Sequence, residues 1–322
     1  MSSLEVQTER FIADVPNNYY TQIKNSQLLV LWNCYYVSEY VNYIGGLCVE
    51  ILKKNNIDIN ILIGAQVEGF VHLNDNYKTL YIDVHLEHTL IQKGKKDHES
   101  QYLVGKALDE NGDPYYTYVH NHMRYTFQNI IIHYSIPNIH NIETSRYFDE
   151  LAKKSIYIAA SLYKECWNVK EGRDISILTT FLIDIPRRLE LIDCIKKQGL
   201  PHKNVTDTYK KEDLAEVYKK TKIMINVHQT DIHKTFEELR VISALQCGVI
   251  VISENSALNY LIPYNHLIIW SSYENIVDKM KEVLENYDNY HEKIFGNNNA
   301  AILNELHDMN FKTLEEKILS CI

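Results

Sequence analysis

Arg240 lies near the start of a predicted amphipathic helix that follows an apolar strand, in the stretch KTFEELRVISALQCG. Thr235 and Glu238 have the spacing of a capping box, and Gly248 suits the left-handed residue that ends a helix. We therefore expect a helix over 236–247. The free N–H groups and dipole of a helix start attract anions, and an arginine one turn in adds a two-pronged donor that matches phosphate. The pattern predicts a phosphate contact for Arg240.

A second pair of arginines follows another predicted strand, DISILTTFLI. Arg187 and Arg188 come directly after Pro186, which suits the first turn of a helix. Because ligands bind beyond the carboxyl ends of parallel strands, these arginines and Arg240 are expected to face one crevice and together hold a diphosphate. The simpler alternative is that Arg240 pairs with Glu237 three residues earlier, on a solvated helix face.

The N-terminal half offers a different chemistry in the segment IDVHLEHTL. If this segment is a strand, His85 and Glu87 share one face of it. A histidine and a carboxylate facing a cleft suit a general base and its partner for an acceptor hydroxyl. A metal site that adds His120 and His122 is the rival interpretation, although no complete ligand set is present and none is predicted. A purely structural role also stays open.

Alternating strands and helices must position these residues. SQLLVLW, EYVNYIGGLCVEILKKNN and IDINILIGA follow one another as strand, helix and strand, the order that builds parallel sheets. NIIIHYSIPNIHNIETS reads as a buried strand that ends in a loop. Beyond residue 170 the alternation is regular and predicts a doubly wound α/β sheet, with His228 and Gln229 at a strand end. We predict two α/β domains around a cleft, 1–150 and 151–322, with the last helix packed back on the first.

Composition limits the classes of function. The 322 residues carry a net charge of −9, which argues against nucleic-acid binding through a basic face. Six cysteines without CxxC spacing predict buried free thiols in a reducing compartment. The sequence begins without a secretory-signal pattern and has no apolar run of about 20 residues, so we expect a cytoplasmic protein without a membrane span.

The C-terminal half resembles the donor-binding domain of GT-B nucleotide-sugar glycosyltransferases, in particular small bacterial and viral members. The run DLAEVYKKTKIMINVHQTDIHKTFEELRVISALQCGVIVISENSALNYLI carries the resemblance, with a helix of the L-x-x-x-Y kind, a helix that ends A-L-x-C-G and a strand V-I-V-I-S-E. IPNIHNIETSRYF resembles the loop that joins strand and linker in such enzymes. The resemblance covers about 170–285 well and the N-terminal half in outline, and it implies two Rossmann-like domains facing a cleft.

The resemblance also implies roles for individual residues. Arg240 looks like the phosphate-contacting arginine, Arg187 or Arg188 like the basic residue after the first strand of the donor domain, and Glu237 or Glu238 like a contact of the donor sugar. Many retaining members carry two glutamates spaced by seven residues, but this chain has Thr235 and Ser243 at those positions. The expected donor-site residues are Arg187, Arg188, His228, Gln229, Thr235, Glu238, Arg240 and Ser243, and the expected catalytic residues are His85, Glu87 and Glu237.

The sequence thus predicts a metal-independent glycosyltransferase without a cofactor. It would move a sugar from a nucleotide diphosphate sugar, with a UDP-sugar as the expected donor, to a hydroxyl of a glycan or protein. The chain is compatible with a homodimer. A nucleotide-sugar epimerase and a noncatalytic nucleotide-sugar-binding protein are the alternatives.

Overall fold

The computed structural model describes residues 18–23, 26–32, 37–65, 78–85, 89–93, 101–108, 114–119, 128–145, 148–230 and 236–322. Two mainly parallel sheets divide these residues into a first unit, which ends with residue 157, and a second unit, which begins at residue 175. The predicted α/β class with two parallel-sheet units is confirmed.

The first unit contains a sheet in the strand order β1-β2-β3-β4-β8-β9. All neighbours in it are parallel except the β1–β2 hairpin. A separate antiparallel sheet has the order β5-β7-β6. The strands are β1 Asn18–Ile23, β2 Ser26–Trp32, β3 Asn60–Ala65, β4 Thr79–His85, β5 Thr89–Lys93, β6 Gln101–Leu108, β7 Pro114–Val119, β8 Ile130–His133 and β9 Ser155–Tyr157.

The second unit has a fully parallel sheet in the order β11-β10-β12-β13-β14. Its central strands are apolar on both faces, as expected for a sheet covered by helices on both sides. The strands are β10 Ile175–Thr179, β11 His202–Asn204, β12 Thr221–Asn226, β13 Ile250–Glu254 and β14 Ile268–Ser271. Their carboxyl ends form one edge, where candidate ligand residues gather.

Helices connect the strands and cover the sheets. They are α1 Ser38–Asn55, α2 Ile136–Ser145, α3 Asp149–Lys154, α4 Pro186–Lys197, α5 Lys211–Lys219, α6 Glu238–Gln246, α7 Ile276–Glu285, α8 Tyr287–Phe295 and α9 Ile302–Cys321. Helix α4 begins at Pro186, and Gly199 just beyond it has a φ of +67°, as the sequence predicted. None of the helices in the described ranges is long and apolar enough to cross a bilayer.

Helix α2 corrects the sequence interpretation, because the segment after β8 was expected to be a loop. Residues 136–145 are helical, with Pro137 in the first turn, where a missing N–H costs nothing. The Thr144 hydroxyl donates a hydrogen bond back to the carbonyl of His140. A cluster of asparagine and proline was thus mistaken for a break in regular structure.

The two units are joined by the linker after β9 and by helix α9, which returns to the first unit. Glu315 of α9 pairs with Lys54 at 2.8 Å and accepts a hydrogen bond from Asn55 at 2.6 Å, both at the end of α1. Asn310 bonds both the N–H and the carbonyl of Ala159 in the linker, each at 2.8 Å. The last strand of the first sheet, β9, follows the predicted domain division at 150/151, which stays a prediction.

Gly248 ends α6 in a left-handed conformation, with φ +72°, as the sequence predicted. A Cβ atom there would lie 2.4 Å from the Trp167 carbonyl oxygen and 2.7 Å from Nη2 of Arg173. That guanidinium is already committed, because Nη2 donates to the Cys247 carbonyl at 2.7 Å and Nη1 to the Tyr218 carbonyl at 2.9 Å. The end of α6 is therefore closely packed against the linker.

Gly248→Ala is expected to lower the free energy of unfolding by roughly 2–5 kcal/mol, the sum of left-handed strain and overpacking. Gly199→Ala is the matched control, because its φ is +67° but no atom lies within 4 Å of the added Cβ. It should cost about 1–2 kcal/mol from backbone strain alone. Urea unfolding of both variants measures the difference, and equal losses would show that the contacts around Gly248 relax without cost.

Candidate functional site

Arg240 lies at the carboxyl edge of the second sheet. Its Nη1 donates to the carbonyl of Thr180, the residue directly after β10, at 3.3 Å. Its Nη2 lies 3.9 Å from Oε2 of Glu237, so the predicted alternative ion pair is present, although long. The Arg240 side chain is 22% exposed. A guanidinium has five N–H donors, and these two contacts within the described chain leave most of them directed to an open edge.

Arg187 reaches the same edge but is held by a carboxylate. Its Nη1 and Nη2 each donate to one oxygen of Glu254 at 2.7 Å, a bidentate pair in which the side chains are 10% and 5% exposed. Its guanidinium also lies 3.8 Å above the Tyr273 ring, and Nη1 bonds the carbonyl of His228 at 3.1 Å. Glu254 balances the positive charge that was predicted for a diphosphate. A ligand contact of Arg187 stays a prediction.

The pair with Glu254 also organises the loop after β12. Oε2 of Glu254 accepts the backbone N–H of His228 at 3.0 Å, and Nε2 of His228 donates to the Asn255 carbonyl at 2.9 Å. Although burial alone would raise it, the pKa of Glu254 is lowered because Arg187 and the His228 N–H favour the charged form. Gln229, next in the chain, is exposed. The ends of β12 and β13 are thus cross-linked through one carboxylate.

Arg188 does not share this arrangement. Its side chain is buried, and its guanidinium lies 4.8 Å from the centroid of the Phe181 ring. Successive residues of a helix point about 100° apart, so Arg187 and Arg188 cannot face one ligand in the same way. The donor-site role of Arg188 stays a prediction, and its position favours packing.

Helix α6 begins at Glu238, two residues later than the capping box predicted. Thr235 lies outside the described residues, and Glu237 at the helix start makes no side-chain cap. Ser243 is 3% exposed, and its hydroxyl has no hydrogen-bond partner in the described structure. It stands in a position where a longer polar side chain would have to displace neighbours. Donor contacts of Thr235 and Ser243 stay predictions.

Glu238 is fully buried where the two units meet. Oε2 accepts hydrogen bonds from the phenol of Tyr157 in β9, at 3.1 Å, and from the phenol of Tyr264 in the second unit. The Ser135 hydroxyl, just after β8, faces the same carboxyl. Burial raises the pKa of Glu238 to about 7, because these hydroxyl donors only partly offset the loss of water. In this arrangement the carboxyl is enclosed, and its predicted contact with a donor sugar stays a prediction.

The candidate residues of the first unit are only partly described. His85 closes β4 and pairs in register with His133 of β8, but Glu87, His120 and His122 lie outside the described residues. Burial lowers the pKa of His133 to about 3, so this ring is neutral. Its Nε2 lies 3.0 Å from the hydroxyl of Ser155. The catalytic roles of His85 and Glu87 stay predictions.

Metal-ligand clusters and disulfides were also sought among the described residues. The described part of the chain brings no three His, Cys, Asp or Glu side chains together in a geometry that would hold a metal ion. The five cysteines within the described ranges are free thiols, and Cys48 and Cys247 are buried, in line with the expectation from their spacing.

Comparison with known proteins places the second unit in a family. Residues 188–308 match the sequence model described as "Glycosyl transferase-like". This segment belongs to the glycosyl transferase-like family. The glycosyl transferase-like segment covers over a third of the chain and includes Arg240, His228 and Glu254, so the edge described above lies within it.

One curated relative is an uncharacterized protein of Acanthamoeba polyphaga mimivirus. It is 27% identical over 141 residues, which are 42% of this chain and 49% of the relative. The matched region therefore spans about half the length of that viral protein. The glycosyl transferase-like segment thus has a viral relative whose printed name states no activity.

Two solved structures share the outline of the chain. A glycosyltransferase from Rickettsia africae ESF-5 is 12% identical, with a TM-score of 0.39 over 88% of this chain and 80% of that one. A UDP-forming alpha,alpha-trehalose-phosphate synthase from Burkholderia vietnamiensis is 8% identical, with a TM-score of 0.43 over 94% and 91%. Similarity at this level does not define a substrate.

Three residues of the edge were not predicted as site residues. Glu254 ends the apolar strand VIVIS, and a carboxylate directly after a buried strand is a sequence signal that could have marked it. Tyr157 and Tyr264 carry no such signal, because 81 and 26 residues separate them from Glu238. Only the fold brings these phenols to one carboxyl.

Proposed function

We propose that this chain is a glycosyltransferase that moves a sugar from a nucleotide diphosphate sugar to a hydroxyl group. The proposed donor is a UDP-sugar, the proposed acceptor a glycan or protein hydroxyl, and the reaction uses no bound metal. The observation that supports this most is the position of Arg240. Its partly exposed guanidinium lies at the carboxyl edge of β10, inside the glycosyl transferase-like segment.

Arg240 would act on the leaving group. Negative charge grows on the diphosphate as the bond to the sugar breaks, and donors already in place stabilise that charge without reorganisation. The start of α6 adds backbone N–H groups from the same side. Glu237 is 3.9 Å from the guanidinium, a distance at which an incoming phosphate can replace it as the partner.

Arg187 and Glu254 would support the site by fixing its loops. Their pair ties the start of α4, the end of β13 and the His228 backbone into one unit. Because the Arg187 charge is balanced, the net attraction for a diphosphate rests on Arg240 and the helix start. The proposal therefore requires a large effect from Arg240 alone.

Arg240→Ala is expected to weaken the binding of UDP by roughly 10- to 100-fold, the cost of losing hydrogen bonds to a charged partner. Calorimetric titration of the full chain with UDP, GDP and ADP gives the affinities, and a UDP-release assay with UDP-glucose and UDP-N-acetylglucosamine gives turnover. Lys279→Ala is the control, because Lys279 forms a surface pair with Glu282 at 2.5 Å on α7. It should leave the UDP affinity unchanged.

The outcomes separate the proposed function from its alternatives. Unchanged UDP affinity in Arg240→Ala would exclude the phosphate role, and absence of binding by every nucleotide and nucleotide sugar would exclude the proposed function. Tight binding with no turnover would identify a binding protein. An epimerised nucleotide sugar that forms without acceptor would identify an epimerase.

A further inference from the structure

The Glu238 carboxyl receives hydroxyl groups from both units. Tyr157 belongs to the last strand of the first sheet, and Tyr264 follows the short 3-10 helix Asn259–Leu261 of the second unit. Both phenols donate to Oε2, while Oε1 has no hydrogen-bond partner in the described structure. Ser135 faces the carboxyl from the first unit. Tyr40 of α1 is near enough to interact electrostatically with it, and its own hydroxyl bonds the Ile158 carbonyl.

This arrangement is costly for the stability of the fold. An enclosed carboxyl with one incompletely bonded oxygen loses more hydration energy than two phenols return. An apolar side chain of similar volume would fill the same space at lower cost. Natural proteins keep such features mainly where they serve a function.

The position of Glu238 in the chain suggests that function. Glu238 is the first residue of α6, and Arg240 follows two residues later on the same rigid helix. A bond from Tyr157 to Glu238 therefore fixes the start of α6, and with it the Arg240 guanidinium, relative to the first unit. The bond from Tyr264 holds Glu238 within its own unit and does not cross the boundary.

We propose that Glu238 and Tyr157 form a latch between the two units, which positions α6 and Arg240 against the acceptor-side unit. Glu238 is in this proposal a positioning residue that acts through Arg240. The inference rests on the proposed function for its catalytic consequence, but the latch itself is a property of the free protein. Moving the units apart breaks the Tyr157 bond and leaves the Tyr264 bond intact.

The two tyrosines provide a matched pair of variants. Tyr157→Phe and Tyr264→Phe each remove one phenol donor to the same oxygen, but only the first removes a bond between units. In Tyr157→Phe, we expect the kcat of UDP release from UDP-glucose to fall roughly 10- to 100-fold, because small misplacements of a catalytic group are costly. The KM for the donor should stay within about 2-fold, because the donor site lies in the second unit.

Small-angle X-ray scattering of the same proteins without ligand tests the latch directly. The radius of gyration should rise in Tyr157→Phe and stay at the wild-type value in Tyr264→Phe. Ser135→Ala removes a second first-unit hydroxyl, and it should lower kcat in the same direction by a smaller factor. It serves as the test variant if Tyr157→Phe does not fold.

Identical scattering of both tyrosine variants and wild type would overturn the latch, and so would equal losses of kcat in the two variants. If wild type binds and turns over no nucleotide sugar, the proposed function fails. The latch is then judged by scattering alone, so that the two failures are distinguishable.

Discussion

Glu254→Ala is expected to lower the free energy of unfolding by about 3–5 kcal/mol, the range measured when one partner of a buried ion pair is removed. The Arg187 side chain is only 10% exposed, so its charge would remain in a poorly hydrated site without its carboxylate. The variant also removes the acceptor for the His228 N–H, which loosens the loop after β12. Urea unfolding at pH 7 measures the loss.

Two controls define the source of that loss. Glu216 forms a pair with Lys219 at 3.2 Å on the surface of α5, and Glu216→Ala should cost no more than about 0.5 kcal/mol. The double variant Arg187→Met with Glu254→Leu should recover much of the stability, because apolar side chains of similar volume avoid the buried charge. A loss in Glu254→Ala as small as that in Glu216→Ala would contradict the prediction.

Glu238→Gln is expected to change how stability depends on pH. The pKa of Glu238 is raised from 4.5 to about 7 in the folded protein, so between these values the folded chain holds a proton that the unfolded chain has released. The contribution of Glu238 to stability is therefore fully present below about pH 4.5 and is lost as the pH rises through about 7. The difference corresponds to on the order of 3 kcal/mol.

Unfolding curves of wild type and Glu238→Gln at pH 5 and pH 8 measure this contribution. Between the two pH values, wild type should lose up to about 3 kcal/mol more stability than the variant. Other titrating groups, such as Glu254 with its lowered pKa, contribute equally to both proteins and cancel in the comparison. Parallel stability curves would show that the carboxyl is not enclosed in solution.

The order of strands and helices could be predicted from sequence because it depends on local patterns. Apolar runs marked the strands of the second unit, and Pro186 and Gly199 marked the ends of α4. The parallel pairing of β2 and β3 followed from the helix between them. The segment 136–145 was predicted wrongly because its asparagines and proline also suit a helix start.

The arrangement of charges could not be predicted in the same way. Arg187 and Glu254 are 67 residues apart, and no local pattern links them. The sequence placed both beyond strand ends, and it therefore identified the edge without identifying the pair. Arg240 was a better prediction, because its position on α6 and near β10 follows from a single strand, loop and helix.

Helix α9 has a consequence for the timing of synthesis. Its residues Phe311, Leu314 and Ile318 belong to the hydrophobic core that also contains the buried side chains of α1, and its ion pair with Lys54 joins residues 261 positions apart. A ribosome adds about 5–20 residues per second, so roughly 10–50 s pass between the synthesis of α1 and that of α9. During this interval the nascent first unit carries an uncovered apolar helix face. The emerging chain therefore presents a binding surface for chaperones that the finished protein hides.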